Sequence, residues 1–215
     1  MNIIDLGLTE FLDTYKIQLD LVQDVSEKKR DNTVLVTRHY PVITAGRLSD
    51  AGNILLSEEE LLSKGINIVN IDRGGDVTYH GFGQLVLYPI VRLENEARDI
   101  HLFLEYLEEV GIRFLSKYGV FGVRKHGFRG VWVGQDKIAS IGIGVKKWTT
   151  YHGMAINITS DKDGFSFIRP CGIESVNMTS LTDILGRKIG FEDAKAKAIA
   201  SFEEISLLDK AVSKK

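Results

Sequence analysis

The chain has 215 residues, enough for one large domain with a real core, and 44% of them are hydrophobic. A formal net charge of −2 points away from intrinsic disorder and from a nucleic-acid binder; the short basic clusters at 28–30 and at Lys146 and Lys147 read as solvated faces. There is no apolar run long enough to span a membrane and no visible signal or transit peptide, and the single cysteine excludes an internal disulfide or a cysteine-rich metal site, which fits a reducing cytosol.

Leu8, Leu12, Tyr15, Leu19 and Val22 recur at steps of four and three, which predicts an amphipathic helix over about residues 9–29 with Thr9 as N-cap. The β-branched residues at 33–37 predict a strand, and Pro41 and Gly46 make 38–47 a loop. Ser57 and Glu60 have capping-box spacing, for a short helix that Gly65 ends. Residues 66–71 predict a strand that leads into a glycine-rich stretch at 73–83, and 85–89 a strand that supports it. Ile100, Phe103, Leu104, Leu107, Gly111 and Phe114 mark one face of a second long helix ending near Gly119. Residues 131–133 and 138–145 flank Gly134-Gln135-Asp136, a hairpin signal, and 154–158 predict a further strand. Residues 161–164 predict a turn that lacks the acidic ligands of a calcium loop. Ala194, Ala198, Phe202 and Ile205 predict a C-terminal helix at about 191–208. Hairpin-like segments dominate the middle, and no linker or repeat divides the chain. The reading is a single domain over 1–215 of the α/β (α+β) class, with a mainly antiparallel or mixed sheet and flanking helices.

Several residues could carry chemistry. Gly74 and Gly75 allow close approach to the backbone, and Tyr79 and His80 stand just beyond them. The stretch is not GxGxxG, and no GxxxxGK[ST] occurs, so a nucleotide loop is unsupported. Thr78-Tyr79-His80-Gly81 recurs as Thr150-Tyr151-His152-Gly153, a coincidence or two walls of one cavity. Gly142 and Gly144 alternate with Ile141, Ile143 and Val145, which leaves either a groove or a tightly packed face. Counted by twos, Lys137 joins the apolar row Ala139, Ile141 and Ile143. Desolvation disfavours an ammonium, so a lysine there can act as an acid or base; the alternative is a hairpin-edge lysine reaching water. Cys171 lies between Pro170 and Gly172. It is either a small buried apolar residue or a nucleophile, with the Gly172 N–H turned toward an oxyanion and Lys137 or a histidine favouring the thiolate. His80 and His152 are either hydrogen-bonded structural residues or bases, and without HExxH or CxxC a catalytic zinc has no ligand set.

In this order and spacing, RGGDVTYHGFGQLVLYPI, GVWVGQDKIASIGIGV, TTYHGMAINI and RPCGI resemble the lipoyl(octanoyl) transferase family over about residues 34–184. The resemblance implies the fold of the biotin and lipoate protein ligase catalytic domains. It implies that Cys171 is the acyl-accepting nucleophile, and that Lys137 lowers the thiol's pKa and shuttles protons. It implies three substrate-binding segments: Arg73, Gly74, Gly75, Asp76, Val77, Thr78, Tyr79 and His80; Ser140, Ile141 and Gly142; and Gly153, Met154 and Ala155. Gly172 and His152 are further candidates for oxyanion binding or positioning. The implied reaction moves an octanoyl group from octanoyl-acyl carrier protein to a lysine of a lipoyl domain. That domain belongs to a 2-oxo acid dehydrogenase E2 subunit or to glycine cleavage H protein. The transfer is the first step of endogenous protein lipoylation and needs no ATP and no metal, because an amide is more stable than a thioester. One departure is Phe82, where the family usually has a proline that would stiffen the loop. Rival readings are an ATP-dependent lipoate-protein ligase of the same fold, a cysteine-dependent acyl-thioester hydrolase with His80 or His152 as base, and a non-catalytic scaffold.

Overall fold

The computed structural model describes residues 1–159, 162–170 and 176–205. The chain opens as a strand, β1 (Asn2–Thr9), ahead of the predicted helix and including Leu8, which the hydrophobic spacing counts in the helical stripe. Helix α1 (Phe11–Ser26) follows, with Glu10 and not Thr9 at its N-cap position and no side-chain capping bond. The Thr9 hydroxyl instead bonds those of Thr14 and Thr37 at 2.8 Å each. The buried face of α1 is Phe11, Thr14, Gln18, Leu21, Val22 and Val25, whereas Leu12 is 51% exposed. The stripe counted from the sequence is therefore rotated, because two of the residues that face the core are polar.

β2 (Thr33–His39) is followed by β3 (Val42–Ala45), a buried strand inside the segment that Pro41 and Gly46 mark as a loop. The capping box forms: the Ser57 hydroxyl accepts from Glu60 N, the Glu60 carboxylate accepts from Ser57 N, and α2 (Glu58–Ser63) begins there. Then come β4 (Asn67–Asn70), β5 (Val77–His80) and β6 (Gln84–Ile90). Helix α3 (Ile100–Ser116) is capped by the Asp99 carboxylate. Four strands follow, β7 (Val123–Lys125), β8 (Phe128–Val133), β9 (Asp136–Lys146) and β10 (Thr149–Asn157). The predicted turn at 161–164 is in part the short helix α4 (Lys162–Phe165), with Asp161 outside the described residues. α5 (Leu181–Leu185) and α6 (Phe191–Glu203) close the described chain.

Seven strands form a mixed sheet in the order β1-β2-β6-β10-β9-β8-β7, in which β1 and β2 are parallel and every other pair is antiparallel. The other three form a small sheet, β4-β3-β5. Alternation along the central strands feeds two cores. Val34, Val36, Leu85, Leu87, Met154 and Ile156 pack with Phe103, Leu107 and Phe114 of α3 and Ala194, Ala198 and Phe202 of α6. Leu35, Val86, Tyr88, Ile90, Tyr151 and Ala155 pack on the other side, with Phe11, Leu21, Val22 and Val25 of α1. Burial on both faces explains why β2 and β6 read as near-continuous apolar runs. A third cluster, with Ile43, Leu61, Val77, Tyr79 and Phe165, lies under the small sheet. No helix among the described residues is long and apolar enough to cross a membrane.

Candidate active site

A cavity of about 400 Å³ opens on the α1 side of the large sheet. Its apolar floor comes from the central strands and α1, as Val86, Tyr88, Ala155 and Phe11. One wall is the glycine-rich stretch, with Arg73, Gly74, Gly75, Asp76, Val77, Thr78 and His80. The opposite wall is β9 and β10, with Lys137, Ser140, Ile141, Gly142, His152, Gly153 and Met154. Tyr79 points elsewhere: its ring lies edge-on to Phe165 at 5.5 Å, in the core under the small sheet. Both TYHG segments thus bring their histidines to one cavity, and neither tyrosine lines it. Cys171 and Gly172 lie outside the described residues.

The glycine-rich wall is fixed by Arg73, which is 8% exposed. Its guanidinium donates to the Thr44 carbonyl at 2.8 Å, the Thr44 hydroxyl at 3.1 Å and the Gly74 carbonyl at 3.1 Å. Gly74 N donates to the Ile143 carbonyl at 2.9 Å, which ties this loop to β9 across the cavity. Gly142 is where the two walls meet: a Cβ there would stand 2.9 Å from the Gly74 carbonyl oxygen and 3.1 Å from Arg73 Cδ. Gly144 is different, because a Cβ there would run into the Tyr151 ring. Of the two glycines on β9, one shapes the cavity and the other packs.

Three histidines stand close together. The His39 and His80 ring centroids are 5.8 Å apart, and Phe11 stacks on His80 at 6.0 Å and on His152 at 6.4 Å. Burial pulls His39 down to about 4 and His80 to about 3, the latter helped by neighbouring His39, and burial holds His152 at about 4 against the opposing pull of Asp72. All three are neutral near pH 7, and their partners fix the tautomers. His39 Nδ1–H donates to the Thr9 carbonyl at 3.2 Å, and His39 Nε2 accepts from the Tyr88 hydroxyl at 2.8 Å. His80 Nδ1–H donates to Gln84 Oε1 at 2.9 Å, because the Gln84 amide nitrogen is spent on the Tyr79 carbonyl and Asn157. Its Nε2 is left unprotonated, yet a group titrating near 3 is a poor base at neutral pH, so His80 is suited to accept a hydrogen bond and position a substrate.

His152 holds a positive φ of 55°, uncommon outside glycine, and its N–H donates to buried Gln18 at 2.7 Å. Its Nε2–H points to Asp72 at 3.4 Å. Burial works to raise the Asp72 carboxyl, but hydrogen bonds from Tyr151, Tyr15 and His152 prevail and hold it below the ordinary range. A neutral imidazole oriented by a carboxylate is a positioned donor and acceptor, not a stored charge.

Lys137 is 2% exposed and does not reach water at the hairpin edge. Val131 pairs with Ala139 but Trp132 pairs with Lys137, so Ile138 is an extra residue on β9. This bulge breaks the count by twos that groups Lys137 with Ala139 and Ile141. The lysine's backbone is clamped on its other side, where its N–H donates to the Asn177 carbonyl at 2.8 Å and its carbonyl accepts from Thr179 N at 2.9 Å. Asn177 stands six residues after Cys171. On the near side of Cys171, Arg169 N donates to the Asn53 carbonyl at 2.8 Å, and the Asn53 amide in turn bonds Asp76 in the cavity wall.

Sequence reasoning does not find Phe11, Leu48, Ile71, Val86, Tyr88, Gly127, Phe128 and Arg129, which complete the lining. Phe11 and Val86 carry only an apolar signal, which the core carries everywhere. Phe82 is absent from the lining: it is 47% exposed and edge-packed on Tyr40 at 5.6 Å. Among the described residues, no three histidine, cysteine or acidic side chains are grouped to hold a metal ion.

The model of the lipoyl protein ligase A/B catalytic domain family matches residues 11–203. An octanoyltransferase of Syntrophotalea carbinolica is 42% identical over 205 residues, covering 95% of this chain and 94% of that relative. Among solved structures, a bi-partite lipoate protein ligase from Thermoplasma acidophilum superposes with a TM-score of 0.72 at 15% identity, covering 99% of this chain and 90% of the other. Biotin protein ligase from Aquifex aeolicus gives 0.54 at 14% identity, with 98% and 69% covered. At such identities the two structures speak for the fold alone.

Proposed function

The chain belongs to the lipoyl protein ligase A/B catalytic domain family, and on that premise we propose that it is an octanoyltransferase working through an acyl thioester on Cys171. The donor is octanoyl-acyl carrier protein, and the acceptor is a lysine of a lipoyl domain, of an E2 subunit or glycine cleavage H protein. One observation carries the reading: a buried lysine, Lys137, lines an apolar-floored cavity and is clamped to the chain just past the sole cysteine.

The acyl chain lies on the floor made by Phe11, Val86, Tyr88 and Ala155, with Arg73, His80 and the 140–142 and 153–155 segments around it. The Lys137 ammonium favours the Cys171 thiolate. The thiolate attacks the thioester carbonyl, the oxyanion is held by backbone N–H groups that include Gly172, and the carrier leaves as its phosphopantetheine thiol, protonated by Lys137, which is left neutral. The lipoyl-domain lysine then attacks the acyl-cysteine after losing a proton to Lys137, and Cys171 leaves as the thiolate. A thioester becomes an amide, so the transfer needs no ATP, no metal and no other cofactor. It does need a free thiol, which suits a reducing cytosol.

The test is intact-mass spectrometry with octanoyl-carrier protein in the absence of ATP. Wild type gains one hydroxylamine-labile octanoyl mass on Cys171 and loses it when a lipoyl domain is added; Cys171→Ala gains none and transfers none. An alanine variant that still modifies the lipoyl domain overturns covalent catalysis. ATP-dependent labelling by free acid without carrier protein overturns the transferase reading in favour of a ligase.

A further inference from the structure

We infer that Trp132 is a positioning residue for Lys137, its indole face and the bare Cα of Gly130 forming a slot on β8 that holds the lysine's side chain at the cavity wall. The inference rests on the reading above that Lys137 serves the acyl transfer. Gly130 and Trp132 are two residues apart on one strand, so they share a face, and Trp132 lies directly opposite Lys137 in the β8–β9 pairing. Lys137 Nζ stands 5.5 Å from the centroid of the Trp132 ring, inside the ~6 Å reach of a cation–π contact. The lysine's stem runs over Gly130: a Cβ there would stand 2.6 Å from Lys137 Cε and 3.3 Å from Nζ. Gly130 also has φ 130°, open to glycine and strained for other residues.

The ring is held as well as aimed. Trp132 is 3% exposed, Phe128 meets it at 6.3 Å, and its N–H has no acceptor among the described residues, so its face is what it offers. The charged groups around the slot come from every side. Glu108 of α3 accepts from Gly130 N at 3.2 Å and pairs with Arg124 and Arg129. Lys125 of β7 lies over the same indole at 4.3 Å, held by Gln135. Arg73, Asp76, His80 and His152 line the cavity beyond, and Cys171 lies outside the described residues. A lysine that holds a proton in one step and takes one in the next needs a fixed place for its nitrogen. The π-face contributes to that place and favours the ammonium.

The experiment adjusts the ring without changing its shape. The chain has two tryptophans, and Trp148 is a surface residue over Arg98, so in a Trp148→Phe background Trp132 can be replaced by mono-, di- and trifluorotryptophan. Single-turnover acylation of Cys171 by octanoyl-carrier protein is followed at fixed pH. Each fluorine weakens the π-face at nearly unchanged ring shape, so the acylation rate is expected to fall stepwise, by up to about tenfold over the series. Trp132→Phe is expected to acylate within about threefold of wild type and Trp132→Leu to be slowed roughly threefold to thirtyfold. An acylation rate that stays constant across the fluorine series overturns the inference while Lys137→Ala remains inactive. A Lys137→Ala protein that acylates at the wild-type rate overturns the underlying reading, and the inference with it.

Discussion

Lowering the pH from 7 to 5 is expected to destabilise the protein through His39, His80 and His152. Burial holds these at about 4, about 3 and about 4, against 6.5 for a free side chain. The folded values are depressed, so the native state keeps the rings neutral. The unfolded chain takes up a proton at each as the pH falls through 6.5, and the folded chain does not until about 4. The stability is therefore complete above about 6.5 and lost on the way down. At pH 5 each histidine costs about 2 kcal/mol and the three together on the order of 6 kcal/mol. Domains of this kind have ~5–15 kcal/mol in total. The corresponding fall in Tm is roughly 12–24 °C. Thermal unfolding followed by tryptophan fluorescence at half-unit pH steps measures it, and His152→Gln should remove about a third of the pH dependence. A Tm that changes by less than about 3 °C between pH 7 and 5 refutes three buried neutral histidines.

Three other outcomes follow from the cavity. His80→Ala is expected to slow turnover or weaken acyl binding yet leave hydroxylamine-labile acyl-Cys171; complete loss of acylation in a folded variant, judged by circular dichroism and intact mass, would make His80 a base. Gly142→Ala pushes a methyl against the Gly74 carbonyl and Arg73, so it should raise KM for the acyl donor while the Tm falls only a few degrees; Gly153→Ala, whose methyl would strike the Leu87 backbone and stand 2.6 Å from Pro89 Cδ, should instead cost the fold itself, seen as insoluble or unfolded protein. Phe82→Ala is expected to leave the preference among octanoyl, hexanoyl and decanoyl donors unchanged, because Phe82 stands on Tyr40 outside the cavity; a changed preference in competition assays would place it at the acyl chain.

What the sequence makes legible is what hydrophobic spacing and turn chemistry control. The capping box at Ser57, the Gly134 hairpin and the helix over α3 are local events, each declared by a few residues. Hidden are the places where polar groups do an apolar residue's work. α1 buries Thr14 and Gln18 because the Thr9 hydroxyl bonds Thr14 and Gln18 accepts from the His152 N–H, and no periodicity registers that partnership. β10 is buried along its whole length although it contains two threonines, a histidine and an asparagine, so only its apolar end at 154–158 reads as strand. β1 is masked by Gly7, where its register with β2 slips. The bulge at Ile138 defeats face-counting around Lys137 for the same reason: one extra residue inverts every parity before it. The lining of the cavity is legible where motif residues make it, and not where ordinary core residues such as Phe11 and Val86 do.

The order of strands in the large sheet bears on how the chain is made. β6 is flanked by β2, which precedes it, and by β10, which comes after a long helix and a three-strand meander. On a ribosome, the edge of β6 that faces β10 is therefore open until most of the polypeptide has emerged. Its own Leu85, Val86 and Leu87 are fully apolar, so the nascent chain carries a sticky half-paired strand until the β10 segment emerges. Truncations that end before 149 should accordingly aggregate or bind chaperones, and release should come when the TYHG strand slides into the gap.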